Sequence, residues 1–179
     1  MHMPSAVKQW TLEELHSLPD DGNKYELVRG ALFVTPSPTY RHETVAARLS
    51  GILIPFVLHH GLGLVYHPRT VLRFQGSEVE PDLMVRASPR SNEETWDDAP
   101  VPILIVEILS PSTRGRDQVQ KRNLYMDAGV AEYWMVDPER RVITVVGKGR
   151  EDVVASETLA WSPEGADADL TFELVRVFG

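Results

Sequence analysis

The sequence predicts an α/β fold of the α+β kind: a central mixed β-sheet flanked by helices, with an N-terminal β-hairpin, in a single domain over residues 1–179. Three observations carry this. The segment Val101–Leu109, "VPILIVEIL", is apolar or Pro at every position but Glu107, as expected of a strand covered on both faces. Two stretches of helical apolar spacing lie on either side of it. Short alternating segments bounded by Gly and Pro fill most of the remainder.

A short helix is expected from Thr11, which caps it, with Glu14 completing a capping box. "KYELVRGALFVTPSP" alternates around a central Gly and reads as a hairpin ended by Pro36 and Pro38. From His42 to His60, Val45, Leu49, Ile52, Leu53 and Phe56 recur at helical spacing; Pro55 should kink this helix and Gly61 end it. "LVYHPRTVLRF" and "EVEPDLMVR" read as two strands joined at "QGS", and Ala87–Asp98 as a surface loop. After the apolar strand, "SPST" feeds a helix beginning near Asp117 and terminated by Gly129. "AEYWMVDPERRVITVV" is strand, turn, strand, and short strand-like pieces with a final turn at "FELVRVFG" complete the chain. The core is expected over about residues 25–148, with C-terminal strands over 149–179.

The composition, 42% hydrophobic with 8% aromatic residues, is that of a globular protein with a sizeable core. A net charge of -8 argues against indiscriminate binding of polyanions. No cysteine is present, which excludes disulfides, thiol catalysis and thiolate zinc sites and fits a cytoplasmic location. No apolar run is long enough to span a bilayer, and the first ten residues lack the apolar core of a signal peptide.

Three residues break the apolar logic of their elements. Glu107 alternates in phase with Val101, Ile103, Ile105 and Leu109 and so faces an apolar layer. A lone buried carboxylate costs on the order of several kcal/mol unless it is protonated, paired or bound to metal. Asp82 alternates with Glu80 and Met84 while Val79, Leu83 and Val85 take the other face; Pro81 implies a strand at an edge or beginning there. Pro-Asp is also a common turn pair, although "LMV" continues as strand directly after it. Lys121 lies on the helix face of Asp117, Leu124, Tyr125 and Ala128, which the apolar members mark as inward. Two readings of Lys121 stand: it snorkels to solvent or pairs with Asp117, or it points at the sheet. Taken together the three residues have a chemistry. Two carboxylates on neighbouring strands suit a hard cation such as Mg²⁺, and an adjacent ammonium orients water and stabilises developing negative charge. That is the minimal equipment for hydrolysing a phosphodiester.

"EPDLMV", "VEILSPST", the spacing of Asp117, Lys121 and Tyr125, and "GVAEYWMVDP" resemble the Uma-two family, bacterial proteins of the restriction-endonuclease-like PD-(D/E)xK superfamily. "YELVRGALFVTPSPTYRH" is similar to that family's N-terminal segment, so the likeness runs from about Tyr25 to Pro138. The resemblance implies a restriction-endonuclease-like core and a nuclease dependent on Mg²⁺ or Mn²⁺ that acts on nucleic acid, with DNA the expected substrate and a homodimer the expected form. It implies Asp82 and Glu107 as the motif's acidic residues and metal ligands, Glu26 as a third carboxylate, and Lys121 as the lysine. Leu109 stands where the superfamily's lysine is expected; in the Uma-two family that residue is carried by the following helix, where Lys121 matches. The family often has an acid after the "RG" pair, and this chain has Ala31. His42 matches a recurring position, although a histidine at a helix start is more often a cap or a surface residue. Substrate contacts are expected from Arg114, Arg116, His42 and Tyr125.

Arg114, Arg116, Lys121 and Arg122, with Arg69, Arg73 and Arg86, either mark where phosphate docks or form a solvated surface, and both readings stay open. A fold kept as a non-catalytic binding or assembly module is the alternative to the enzyme, and the acidic composition favours it. A glycosidase pair would leave an inward lysine unexplained. His59, His60 and His67 match no zinc spacing, "GLG" at 61–63 sits in the wrong order for a phosphate loop, Tyr133 and Trp134 read as core, and Asp137 as turn chemistry.

Overall fold

The computed structural model describes residues 8–89, 91, 95–110 and 116–179. Helix α1 (Leu12–His16) is capped as its sequence requires: the Thr11 hydroxyl accepts from the Glu14 amide at 3.2 Å, and the Glu14 carboxylate accepts from the Thr11 amide at 3.0 Å. Strands β1 (Lys24–Val28) and β2 (Ala31–Thr35) form the expected hairpin. Its two turn residues, Arg29 and Gly30, both have positive φ, the turn that matches strand twist. Helix α2 (Tyr40–His59) starts two residues before the apolar spacing does, because the Thr39 hydroxyl caps it by accepting from the His42 amide.

Strands β3 (Leu64–Tyr66), β4 (Leu72–Phe74), β5 (Ser77–Val79) and β6 (Leu83–Arg86) replace the two longer strands expected here. Pro68 with left-handed Arg69 breaks the first, and Pro81, which has no amide proton to give a ladder, breaks the second. The halves then join different sheets: β4 and β5 pair with the hairpin in the order β2-β1-β5-β4, while β3 and β6 join the larger sheet. Strand β6 begins after Pro81 and is interior, flanked by β3 and by β7 (Leu104–Ile108), so the edge position is not realised.

Helix α3 (Arg116–Asp127), strands β8 (Glu132–Asp137), β9 (Val142–Gly147) and β10 (Val153–Ala155) follow, and the larger sheet runs β10-β9-β8-β7-β6-β3. Strands β7 and β8 are parallel and α3 is their crossover; the other pairs are antiparallel, so the sheet is mixed and β7 central, as expected. A two-stranded sheet of β11 (Thr158–Trp161) and β12 (Leu170–Glu173) and a final helical turn α4 (Val175–Phe178) complete the described chain. No helix among the described residues is long and apolar enough to cross a membrane.

Both faces of β7 are buried, each in its own core. Leu104, Val106 and Ile108 pack with Leu49 and Leu53 of α2, with Trp134, and with Trp161 and Phe172 of the small sheet. Ile105 packs with Met84, Tyr133, Leu124 and Tyr125, and with Val28 and Val79 of the four-stranded sheet. Val101, placed in phase with Ile105, lies before the strand and is 48% exposed.

Two glycines at strand and helix boundaries are required by backbone geometry. Gly129 follows α3 at φ +85° with open space around its missing Cβ, so Gly129→Ala should cost about 1–2 kcal/mol, the left-handed penalty alone. Gly63 enters β3 at φ +122°, and a Cβ there would stand 2.1 Å from the Arg86 carbonyl oxygen of β6. Gly63→Ala should therefore lower the thermal midpoint clearly more than Gly129→Ala. Equal shifts in parallel melts would contradict the close approach of β3 to β6.

Candidate active site

Each side chain of the site continues the face of an element whose neighbouring residues are in the second core. On β7, Glu107 lies two residues beyond buried Ile105, and on β6 Asp82 lies two before buried Met84. The pairing of Leu83 with Val106 continues to set Asp82 beside Glu107. On β1, Lys24 and Glu26 precede Val28 on one face, and on α3 Lys121 lies one turn before Leu124 and Tyr125. The rim of an apolar core is thus built from five charged residues of two sheets and a helix.

Lys121 is the centre of this rim. Its Nζ lies 3.0 Å from Glu107 Oε1 and 2.9 Å and 2.8 Å from the two Glu26 oxygens. Of the two readings of Lys121, the inward one holds. Tyr125 donates its hydroxyl to Glu107 Oε1 at 2.5 Å, so the residue named above as a substrate contact is buried and holds a carboxylate instead. Glu107 Oε2 accepts no hydrogen bond from a described residue. Glu26 Oε1 also accepts the Glu80 amide at 2.9 Å. Asp82 Oδ2 accepts the Ile108 amide at 2.7 Å, which pins the start of β6 to the end of β7. Its Oδ1 lies 3.4 Å from His42 Nε2 and 3.6 Å from Lys24 Nζ.

The charges set one another's protonation. Burial disfavours the Asp82 carboxylate, but the His42 hydrogen bond, the Lys24 charge and the Ile108 amide outweigh it and hold the carboxyl at about 2. Burial likewise opposes ionisation of Glu26, and Lys121 with Lys24 brings it below the usual range. Glu107 goes the other way: burial raises it, the Asp82 charge adds to the rise, and Lys121 offsets it only in part. Burial would lower Lys121, yet Glu107 and Glu26 raise it well above its ordinary value, so it is an ammonium at neutral pH. His42 is raised because its bond to Asp82 outweighs burial.

A cleft of about 680 Å³ opens on these groups, lined by Lys24, Glu26, Asp82, Glu107, Lys121 and His42 on its floor. Arg41, Arg69 and a series of prolines, Pro36, Pro38, Pro68 and Pro138, line it further out. His42 therefore belongs to the site, held where the α2 cap places it. Lys24 was not singled out above, although its alternation with Glu26 on β1 was available to do so. Arg41, which donates to the Pro138 carbonyl, was also missed.

The expected basic surface is divided. Arg122 makes a two-pronged pair with Asp152, and Arg73 pairs with Glu78 and Asp97. Arg86 is buried, its Nε and Nη1 without hydrogen-bond partners, near the Trp96 ring. Arg69, unlike Arg73, Arg86 and Arg122, lines the cleft, as Lys121 does, and has a long contact of 3.7 Å to Asp20. Arg114 lies outside the described residues, as do Ser112 and Thr113; Arg116 and Asp117 open α3, and their side chains are outside the described part. Asp137 accepts from the Glu139 and Arg140 amides, the turn chemistry expected of it. His60 pairs with Asp167.

Among the described residues no three His, Asp or Glu side chains gather as a ligand set for a metal ion. Glu26, expected as a third ligand, lines the cleft with both of its oxygens within 2.9 Å of Lys121 Nζ.

No protein of curated function matches the chain. A solved structure described as "a putative nuclease belonging to DUF820", from Anabaena variabilis, superposes with a TM-score of 0.79 over 94% of this chain and 97% of that one. At 21% identity that likeness is one of fold. The Uma2 family, described as "Putative restriction endonuclease", matches residues 12–174, beyond both ends of the segment whose motifs resembled it. The chain belongs to the Uma2 family.

Proposed function

We propose that this protein is a divalent-metal-dependent nuclease that hydrolyses phosphodiester bonds of nucleic acid, with DNA as the substrate. The observation that carries the reading is the 3.0 Å contact between Lys121 Nζ and Glu107 Oε1. It supplies, from a helix, the lysine that the strand lacks at Leu109. The family and the shared fold support the same reading.

The donor set fits a hard cation. Asp82 Oδ1 and Glu107 Oε2 are carboxylate oxygens at one end of adjacent strands: Oδ1 faces His42 and Lys24, and Oε2 is the oxygen that Tyr125 and Lys121 do not engage. Mg²⁺ is commonly held by one or two carboxylates, with waters and substrate phosphate completing its shell. Asp82 and Glu107 would hold it, and the ion would supply Lewis acidity toward the phosphate and lower the pKa of water. The chain's own residues do the rest. Lys121, kept protonated, places positive charge where the phosphate accumulates negative charge and donates to the attacking water. Glu26 fixes Lys121, and Tyr125 fixes Glu107, so the two charged groups need no rearrangement before reaction. The proline-lined walls and Arg41 and Arg69 would receive the chain of the substrate. Two copies would be needed to cut both strands of a duplex together, and sedimentation at micromolar concentration tests for a homodimer.

A second reading, a nuclease fold kept as a binding module, draws on the same ion pairs: Lys121 is held between Glu107 and Glu26 by the fold itself.

Calorimetric titration with Mn²⁺ should give binding that Asp82→Asn and Glu107→Gln each weaken by about a hundredfold or more. Unchanged affinity in both variants would remove Asp82 and Glu107 as ligands.

Cleavage of single- and double-stranded DNA and RNA with Mg²⁺ or Mn²⁺ separates the two functional readings. Lys121→Ala should lower the cleavage rate by roughly 10²–10³-fold with Mn²⁺ binding retained. Metal binding without cleavage of any substrate by the unmodified chain would favour the module.

A further inference from the structure

Of the two lysines of the cleft floor, Lys24 is the one that the mechanism above does not use. Its Nζ lies 3.6 Å from Asp82 Oδ1 and 3.8 Å from Glu26 Oε2, and its one hydrogen bond among the described residues, 3.0 Å, is to the Glu80 carbonyl. Both carboxylates are therefore in ion-pair range of this ammonium, and neither is hydrogen-bonded to it. Lys121 differs: it is fixed at hydrogen-bond distance to both of its partners. Lys24 is also the more accessible of the two, with 19% of its side chain exposed against 11% for Lys121, and it lines the cleft.

We infer that Lys24 is a resident cation standing in for a second metal ion, so that the site takes one divalent cation beside Lys24 rather than two. This rests on the metal reading given above and extends it to stoichiometry. The charge balance is the reason. On the cleft floor Glu26, Asp82 and Glu107 face Lys24 and Lys121, which leaves one net negative charge before His42 is counted; further out, Glu80 faces Arg69 and Lys24, and Glu43 faces His42. A single divalent ion between Asp82 and Glu107 reverses that sign. A second would sit among two ammoniums and a first metal, with the three carboxylates of the floor already shared, at a cost that grows as the inverse of distances of a few ångströms. Lys24 also explains how Asp82 and Glu26 coexist on facing sheets without metal: the ammonium lies between them.

The two roles of Lys24 pull metal affinity and turnover in opposite directions. As a positive charge 3.6 Å from a ligand oxygen it weakens binding of a cation to Asp82. As a cation on the cleft floor it is placed to neutralise phosphate. Without it Asp82 keeps His42 and the Ile108 amide, and Glu26 keeps Lys121.

The test is Mn²⁺ titration by calorimetry on the whole chain, comparing unmodified protein with Lys24→Met and Lys24→Arg, each checked by its thermal melt. One ion should bind the unmodified chain. Lys24→Met should bind the first ion about tenfold or more tightly, and gain a second, weaker site, while cleavage falls. Lys24→Arg, which keeps the charge, should titrate like the unmodified chain. Loss of both affinity and cleavage would mark a merely structural lysine and overturn the inference, as would unchanged affinity in Lys24→Met or two ions on the unmodified chain. Should Lys24→Met not fold, Lys24→Gln takes its place with the same expectations. Silence of every chain toward Mn²⁺ would instead overturn the metal reading itself, and this inference with it.

Discussion

One buried ammonium organises the functional end of this molecule. Lys121 is shared by Glu107 of the large sheet and Glu26 of the four-stranded sheet, so a single cation ties α3 to two sheets that share no hydrogen-bonded strand. The arrangement is sound only as a set. An ion pair in a low-dielectric interior gains little net stability, yet removing one member strands the others at a cost of about 3–5 kcal/mol. Tyr125 and the Glu80 amide complete the satisfaction of the carboxylates, so the cluster is closed on its protein side and open toward the cleft.

The apolar framework explains why this cluster sits where it does. Glu107, Asp82, Lys121 and Glu26 each extend a run of residues buried in the second core, and their elements converge because that core buries Ile105, Met84, Tyr125 and Val28 together. Packing aims the side chains, and the polar groups occupy the place where the apolar layer ends. The same geometry accounts for the opposite protonation tendencies of adjacent carboxylates. Asp82 is reached by an amide, an imidazole and an ammonium, while Glu107 shares Lys121 with Glu26 and meets the Asp82 charge besides its own burial.

Much of this could be read in the residues. Glu107 declares itself by interrupting an apolar run, and Lys121 by sharing a helix face with Leu124, Tyr125 and Ala128. These signals are local, because alternation and helical period are local. The split of the two Pro-containing strands was less legible. Pro68 and Pro81 are plain in the sequence, but which sheet each half joins depends on partners far along the chain. Lys24 escaped for a related reason. A lysine two residues before a glutamate on an outer hairpin reads as solvated charge until the hairpin docks over β6 and β7. Tyr125 was read in the right place with the wrong partner, since a tyrosine facing the core and one facing substrate share the same helical position.

The site is also spread along the chain, and this has a temporal consequence. Glu26 and Lys121 are separated by 95 positions, and Lys24 and Glu80 by 56. Contacts of such long sequence separation form late, after the loop-closure entropy of the intervening chain has been overcome. A polypeptide still being synthesised carries the hairpin and its acidic residue long before α3 exists to neutralise it. Until the helix arrives the carboxylates remain in water, apart from one another. The cluster around Lys121 is thereby complete only in a copy that has finished folding, and an incomplete chain holds its parts without their arrangement.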